Sequence, residues 1–321
     1  MHVYRNIEDV EYEKRTAITV GTFDGVHLGH RKILRNLKDV ADTKGLRNLV
    51  VTFEPHPQVV LKSKSPDIRI LTTIDEKLSI LSSLNIDSVL VIEFTKEFAQ
   101  TAADEFYEDF LLERVGMSDL ILGYDHMFGR NREGNFEMME VLSGKYGFSV
   151  DRVDEFKENG DHVSSSAIRR LLESGNVSLA GRYLGRNYSL SGKVVEGSKL
   201  GRELGVPTAN IEPDSQFKLI PAKGVYAVVV RFDDKEFGGV MNIGTNPTVT
   251  DDISLKLEVN IFDFDEDIYG KTIHVSFVEY LRAEEKFSSL EVLKHQMQID
   301  KNNSRAILET IFNNKITKAK N

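Results

Sequence analysis

Short apolar runs alternate with longer stretches of helical spacing through the first half of the chain. Ala17-Ile18-Thr19-Val20 is rich in β-branched residues and predicts a strand. After Gly21-Thr22-Phe23-Asp24-Gly25-Val26, the apolar residues Ile33, Leu34, Leu37, Val40 and Ala41 recur at helical spacing, and Lys44 and Gly45 read as the helix's last turn and stop. Asn48-Leu49-Val50-Val51-Thr52-Phe53 predicts a second strand, ended by Glu54-Pro55-His56-Pro57. A helix over 74–84 follows, with Ile74, Leu78 and Leu81 on one side and Asp75 and Glu76 in its first turn, and then a strand over 87–92. A helix over 102–115 is expected to bury Phe106, Phe110, Leu111 and Val115, and a fourth strand over 119–123 closes on Tyr124-Asp125. Helices between short apolar strands mean β-α-β units and a parallel sheet, with ligands at the carboxyl ends of the strands. Gly21, Glu54, Phe94 and Gly123 are therefore expected along one edge.

The pattern then changes. Ser164-Ser165-Ser166 precede a short helix over 167–173, where a serine cluster suits an N-cap, and another short helix is expected over 176–185. Beyond it the chain is β-rich, with strands expected over 188–195, 225–232, 239–243, 255–262 and 272–280 and turns at Asp233-Asp234 and Asp265-Glu266-Asp267. Short strands at this spacing predict a small barrel or a sandwich. Ser288-Ser289-Leu290-Glu291 reads as a capping box opening a terminal helix through Val292, Leu293, Gln296 and Met297, and the Lys-rich tail after Asn313 is expected to fray. The domain boundary falls near residue 186, giving domains 1–186 and 187–321.

Composition narrows the function classes. A chain of 321 residues has room for two domains, and 40% hydrophobic with 28% charged residues is the balance of an ordinary folded protein rather than a disordered one. With no cysteine, disulfides, thiolate metal sites and a cysteine nucleophile are excluded. No apolar run approaches the roughly 20 residues of a membrane span, and nothing at the N-terminus resembles a signal sequence. A net charge of −9 argues against broad adhesion to nucleic acid. A cytoplasmic protein with small-molecule partners, no nucleic acid, no membrane and at most weak self-association is expected.

The chemistry concentrates at the glycine turn. Glycines let the backbone approach a ligand, and the first turn of the following helix leaves amide N–H groups that favour an anion. His27 and His30 stand at that junction, three residues apart. Zinc binding, helix capping and phosphate binding are all open to such a pair; the strand-turn-helix context fits phosphate best. Neither Gly-x-x-x-x-Gly-Lys-Ser/Thr nor Gly-x-Gly-x-x-Gly occurs, so the two commonest phosphate loops are absent.

Gly21-Thr22-Phe23-Asp24-Gly25-Val26-His27-Leu28-Gly29-His30 resembles the signature of the nucleotidylyltransferases with a His-x-Gly-His motif, in particular the prokaryotic bifunctional riboflavin kinase/FAD synthetases. Val163-Ser164-Ser165-Ser166-Ala167-Ile168-Arg169 resembles that family's Ser-Ser-Thr-x-x-Arg motif, with Ser166 in place of threonine. Phe53-Glu54-Pro55-His56-Pro57 and Arg69-Ile70-Leu71-Thr72 are similar to further family segments. In the β-rich half, Gly201-Arg202-Glu203-Leu204-Gly205-Val206-Pro207-Thr208-Ala209-Asn210 resembles the flavokinase Gly-x-Pro-Thr-Ala-Asn signature. Gly224-Val225-Tyr226, Asn242-Ile243-Gly244-Thr245-Asn246-Pro247-Thr248 and the stretch from Leu257-Glu258 to Tyr269-Gly270 follow in the family's order.

The resemblance implies an α/β N-terminal domain with a Rossmann-like parallel sheet and a C-terminal antiparallel flavokinase barrel with a terminal helix. It implies phosphorylation of riboflavin to FMN by ATP, then adenylylation of FMN to FAD with release of pyrophosphate, with Mg²⁺ as cofactor. For the kinase, Glu258 is implied as base, Thr208 and Asn210 as Mg²⁺ ligands, Gly201, Arg202, Gly205 and Pro207 as nucleotide loop, and Arg282 and Glu285 as flavin contacts. For adenylyl transfer, His27, His30 and Arg169 are implied as catalytic residues. Gly21, Thr22, Phe23, Asp24, Gly25, Asp125, Ser164, Ser165 and Ser166 are implied as nucleotide contacts.

Read without the family, Thr208-Ala209-Asn210 is an ordinary turn after proline, Glu258 a solvent-facing strand residue, the serine cluster a cap and Arg169 a solvated side chain. The chain departs from the family at His126, where phenylalanine is frequent, at Asn260, where histidine is common, and at Asn187, where proline is frequent. A chain with one active module and a flavin-responsive binding protein are the competing functions.

Overall fold

The computed structural model describes residues 1–61, 69–130, 134–197, 207–245 and 255–318. The chain divides into two compact units, Met1–Ser165 and Ser166–Asn321.

The first unit is built on a parallel sheet of six strands in the order β1-β4-β3-β2-β5-β6. The strands are β1 (His2–Tyr4), β2 (Thr16–Val20), β3 (Arg47–Glu54), β4 (Ser88–Glu93), β5 (Met117–Gly123) and β6 (Ser149–Val153). Alternate strand residues face two separate cores, the pattern of a sheet covered on both sides. Ile18, Val20, Leu49, Val51, Leu120 and Leu122 pack with Phe106, Tyr107, Leu111 and Met139. Ala17, Val50, Val89 and Ile121 pack with Leu34, Leu37, Ala41 and Leu81.

Helix α1 (Leu28–Lys44) ends where expected, on Gly45 in the left-handed conformation. Helix α2 (Pro57–Leu61) starts on a proline, which suits a first helical position. Helix α3 (Ile74–Ser83) opens on a complete capping box between Thr73 and Glu76. The helix expected over 102–115 is one turn of α-helix, α4 (Ala103–Glu105), running into a π-helical stretch, Phe106–Val115. The wider turn rotates its inner face, so that Tyr107 is buried with Phe106, Leu111 and Val115, and Phe110 is only half-buried. Helix α5 (Phe136–Tyr146) and a hairpin, β7 (Lys157–Glu158) with β8 (Asp161–His162), complete the unit. Because all six strands are parallel, the ends of β2, β3, β4 and β5 open on one edge, as the alternation predicts.

The division between units falls inside helix α6 (Ser165–Glu173). The second unit continues with α7 (Val177–Leu184), which Asn176 caps through the Leu179 amide and Ser178 ties to Glu279 at 3.2 Å. Its β-strands form a barrel and not a sandwich: β9 (Ser189–Val195), β10 (Ala209–Pro213), β11 (Gly224–Phe232), β12 (Lys235–Thr245), β13 (Leu255–Ile261) and β14 (Thr272–Arg282). All pair antiparallel, closed in the order β10-β13-β12-β11-β14-β9. Closure removes the exposed strand edges. Leu190, Val194, Val228, Met241, Val259, Val275 and Phe277 fill the inside. The terminal helix α8 (Leu290–Lys318) runs past Asn313, where fraying was expected. It covers one outer flank through Leu308, which packs with Ala227, Val229, Phe262 and Val278, and through Ser304, whose hydroxyl donates to the Gly239 carbonyl at 2.9 Å.

Candidate active sites

After Val20 the backbone leaves β2 and passes through left-handed φ at Phe23 (47°), Gly25 (84°) and Val26 (40°). Glycine takes such angles freely, but a β-branched valine does not, and strain of this kind costs roughly 1–3 kcal/mol per residue. Buried hydrogen bonds hold the turn in place. The carboxylate of Asp24, 1% exposed, accepts from the amides of Leu71 (2.9 and 3.1 Å) and Thr72 (3.1 Å). The Thr72 hydroxyl accepts from the Gly25 amide at 3.0 Å, Ser165 donates to the Asp24 carbonyl at 2.9 Å, and Thr52 donates to the Thr22 carbonyl at 3.2 Å.

The turn delivers His27 as the N-cap of α1, its Nδ1 accepting from the His30 amide at 3.3 Å. The capping reading of this histidine is thus realised. An accepting Nδ1 puts the proton of a neutral His27 on Nε2, as assigned from this bond. The two imidazoles stack with centroids 3.6 Å apart, and the Phe23 ring meets His30 edge-on at 5.3 Å. Burial, then His27, then Lys77 push the His30 pKa well below its ordinary value, so this ring is neutral near pH 7. Its Nδ1 is buried and has no hydrogen-bond partner among the described residues. Intrahelical bonding begins at the Arg31 amide on the His27 carbonyl (2.8 Å), so the Leu28 and Gly29 amides precede it in the first turn. A helix N-terminus with two imidazoles beside it suits a polyanion.

The other expected residues fall as follows. Gly21 and Thr22 are half-buried at the start of the turn, and Asp125 is exposed beyond the end of β5. Asp24 is turned onto residues 71–72. Ser164 and Ser165 belong to the first unit, whereas Ser166 and Arg169 lie on α6 beyond the division and are counted with the second. Among the described residues no group of three His, Cys, Asp or Glu side chains is placed to hold a metal ion, which leaves the zinc reading without a third ligand. His126, a departure from the family, receives or gives a hydrogen bond with Tyr107 Oη at 2.8 Å, and burial lowers its pKa to about 4.

Sequence reasoning missed the buried polar residues behind the turn: Thr52, Thr72 and Lys77. Lys77 is 3% exposed, although a lysine on an amphipathic helix reads as part of the polar face. The Thr73–Glu76 capping box was the available signal, because it fixes where the first turn of α3 lies.

In the second unit Asn210 and Glu258 lie within strands. Asn210 on β10 and Asn242 on β12 both lie directly across from Glu258 on β13. Leu257 and Val259, on either side of Glu258, are buried in the barrel, so by strand alternation Glu258, Asn210 and Asn242 share its outer face. Lys256, two residues before Glu258, pairs with it at 2.7 Å. Gly197 lies under the Asn210 amide: a Cβ there would meet Asn210 Nδ2 at 1.9 Å.

Pro207 and Thr208 line a cavity of about 200 Å³, together with Val194, Val259, Asp265 and Tyr269. Asn260, the other departure from the family, donates from Nδ2 to the Pro207 carbonyl at 2.7 Å and so anchors this rim. Arg282 is held by Asp300 of α8 through bonds of 3.0, 3.2 and 2.7 Å, while Glu285 is exposed in the segment after β14. Gly201, Arg202 and Gly205 lie outside the described residues, as do Asn246, Pro247 and Thr248.

Comparisons with known proteins cover both units. The family model for FAD synthetase matches residues 9–167, and that for riboflavin kinase matches residues 184–308. A bifunctional riboflavin kinase/FMN adenylyltransferase of Haemophilus influenzae is 39% identical over 92% of this chain and 94% of its own. The protein of the same description from Escherichia coli K12 is 37% identical over 95% of this chain and 97% of its own. A crystal structure described as a macrolide-efflux protein from Streptococcus pneumoniae superimposes with a TM-score of 0.85 at 29% identity, covering 94% of this chain and 98% of that one. Among the described residues no helix is long and apolar enough to cross a membrane. With both family models matched in order along one chain, this protein belongs to the bifunctional riboflavin kinase/FMN adenylyltransferase family.

Proposed function

We infer that this chain makes FMN from riboflavin and ATP and then FAD from FMN and a second ATP. The observation that supports the reading is that described residues of both motif sets lie close together, each group within its own unit. A strained, braced turn ends in stacked histidines at a helix N-terminus, and an Asn–Glu–Asn row runs across adjacent barrel strands. Residues 1–186 are assigned to adenylyl transfer and 187–321 to the kinase, in a cytoplasmic enzyme.

In the kinase, Glu258 accepts the proton of the ribityl hydroxyl as its oxygen attacks the γ-phosphorus of ATP and ADP departs. Lys256 orients the carboxylate through their ion pair. The cavity beside Pro207 and Thr208 takes the nucleotide, and Arg282, with Glu285 in the segment after it, meets the flavin. The oxygen chemistry of Thr208 and Asn210 fits Mg²⁺, and the close approach of Gly197 keeps the Asn210 amide in position. When bound, that ion neutralises charge on the ATP phosphates.

In the adenylyltransferase, a phosphate oxygen of FMN attacks the α-phosphorus of ATP, the bond to the bridging oxygen breaks, and pyrophosphate leaves. The nucleophile is already an anion, so no strong base is needed. The Nε2–H of His27, His30 and the first-turn amides of α1 hold the phosphates and stabilise charge in the transition state. Gly21, Thr22, Asp125, Ser164 and Ser165 surround the nucleotide.

Purified protein with riboflavin, ATP and Mg²⁺ is expected to yield FMN and then FAD by chromatography. His27→Ala is expected to abolish FAD formation and leave FMN formation within about twofold. Glu258→Gln is expected to lower FMN formation by at least about 100-fold, the scale for a lost general base, while FAD still forms from supplied FMN. Loss of both products in either variant would refute two separable sites.

A further inference from the structure

Lys77 is a buried lysine, its pKa lowered by burial, with no part in the reaction as read so far. The capping box at Thr73 and Glu76 sets the first turn of α3, and the Lys77 amide bonds the Thr73 carbonyl at 2.9 Å. From there the side chain reaches under the sheet edge, where Nζ donates to Thr52 Oγ1 at 3.1 Å. Thr52 is itself fully buried, on β3, and its hydroxyl lies 3.2 Å from the Thr22 carbonyl. The direction of this chain is unambiguous. A carbonyl oxygen can only accept, so the single Thr52 proton goes to Thr22 and Thr52 accepts from Lys77.

The result is a three-member relay from a buried amino group to the second residue of the turn. The charged and titratable groups facing Lys77 are Asp24 of the turn, Glu54 at the end of β3, and His30 of α1. Burying an amino group this deeply is costly, and a long apolar side chain would fill the space more cheaply. The turn, for its part, carries left-handed φ at Phe23 and Val26, a shape that persists only where its surroundings over-determine it. We propose that Lys77 is a positioning residue for adenylyl transfer: through Thr52 it fixes the Thr22 carbonyl and so keeps the turn in the shape that presents His27 and His30 to the phosphates. This rests on the reading of the turn as the adenylyl-transfer site.

The test uses the full chain and measures FAD formation from FMN and ATP, with FMN formation by the same preparation and thermal melting as controls. Thr52→Val removes the relay hydroxyl while keeping the side-chain shape, and Thr52→Ser restores the hydroxyl. Thr52→Val and Lys77→Met are each expected to lower kcat for FMN adenylylation about tenfold, the scale of one net hydrogen bond, with the KM for ATP within about threefold. Thr52→Ser is expected to stay within about twofold of the parent, and the double variant to be no worse than the poorer single one, because both changes cut one chain. Normal kcat in both single variants, multiplied losses in the double, or a Thr52→Ser defect equal to that of Thr52→Val would each overturn the proposal. If Lys77→Met fails to fold, the Thr52 pair decides alone. His27→Ala separates the two levels: FAD formation surviving it removes the site reading itself. Its loss, with normal Thr52→Val and Lys77→Met enzymes, removes only the relay.

Discussion

In the parallel-sheet unit the turn of residues 21–26 leaves regular structure as soon as β2 ends, and hydrogen bonds to three other segments hold it: Thr52, residues 71–72 and Ser165. In the barrel unit Asn210, Asn242 and Glu258 never leave their strands, and ladder register alone brings them abreast. The first site is positioned by side-chain hydrogen bonds made across the unit. The second is positioned by backbone pairing that any sequence able to form the barrel would supply. Damage should therefore spread differently. Loss of one buried polar group should loosen the whole turn, whereas the barrel face should tolerate distant changes and fail only where something intrudes on the row itself.

Asp24 gives the harshest test of this contrast. Asp24→Ala removes the buried carboxylate that the Leu71 and Thr72 amides donate to and releases the strain at Phe23 and Val26. FAD formation is expected to fall about 100-fold, equivalent to ~2.7 kcal/mol, while FMN formation stays within about twofold. An adenylyltransferase rate within threefold of the parent would mean that the turn does not need its brace.

On the barrel side the matching change is Gly197→Ala. Its Cβ would lie 1.9 Å from Asn210 Nδ2, so the amide has to swing off the row. FMN formation is expected to drop about tenfold, or ~1.4 kcal/mol, with a raised requirement for Mg²⁺, while FAD formation from supplied FMN is unchanged. A normal kinase would show that Asn210 is not needed where the barrel holds it.

The same contrast governs what could be read from the chain beforehand. Apolar periodicity located β2 to β5, α1 with its stop at Gly45, and the inward-facing strands of the barrel, because each follows one repeating rule. Where a segment serves another purpose the rule is silent. β6 (Ser149–Val153) is a largely exposed edge strand, and β10 (Ala209–Pro213) looks like a turn because its residues are those of the nucleotide motif. The π-helical stretch exchanged Phe110 for Tyr107 in the core, since periodicity assumes an α-helical turn. The ends of the site, His27, His30, Asn210 and Glu258, were legible as motif residues. Their supports were not: Thr52, Thr72 and Lys77 matter through contacts with residues far away in sequence, and no spacing rule records those.

Acid should sharpen the comparison least, but in a definite direction. Burial holds His126 at about 4 and His30 well below its ordinary value, both in the parallel-sheet unit. From pH 6.5 downward the unfolded chain takes up protons that these folded imidazoles refuse. Stability of that unit therefore falls as the pH falls from about 6.5 toward 4, and is fully retained above 6.5. For His126, partly reached by solvent, the loss at pH 5 is on the order of 1 kcal/mol. His126→Phe is expected to remove that share of the acid sensitivity. At neutral pH it strands the Tyr107 hydroxyl, a cost that Tyr107→Phe in the same chain should largely recover. Melting curves at pH 7.5 and 5 measure both effects. An acid loss in the double variant as steep as in the parent would place the proton-linked instability at His30, beside the turn of residues 21–26, instead of at the Tyr107–His126 pair.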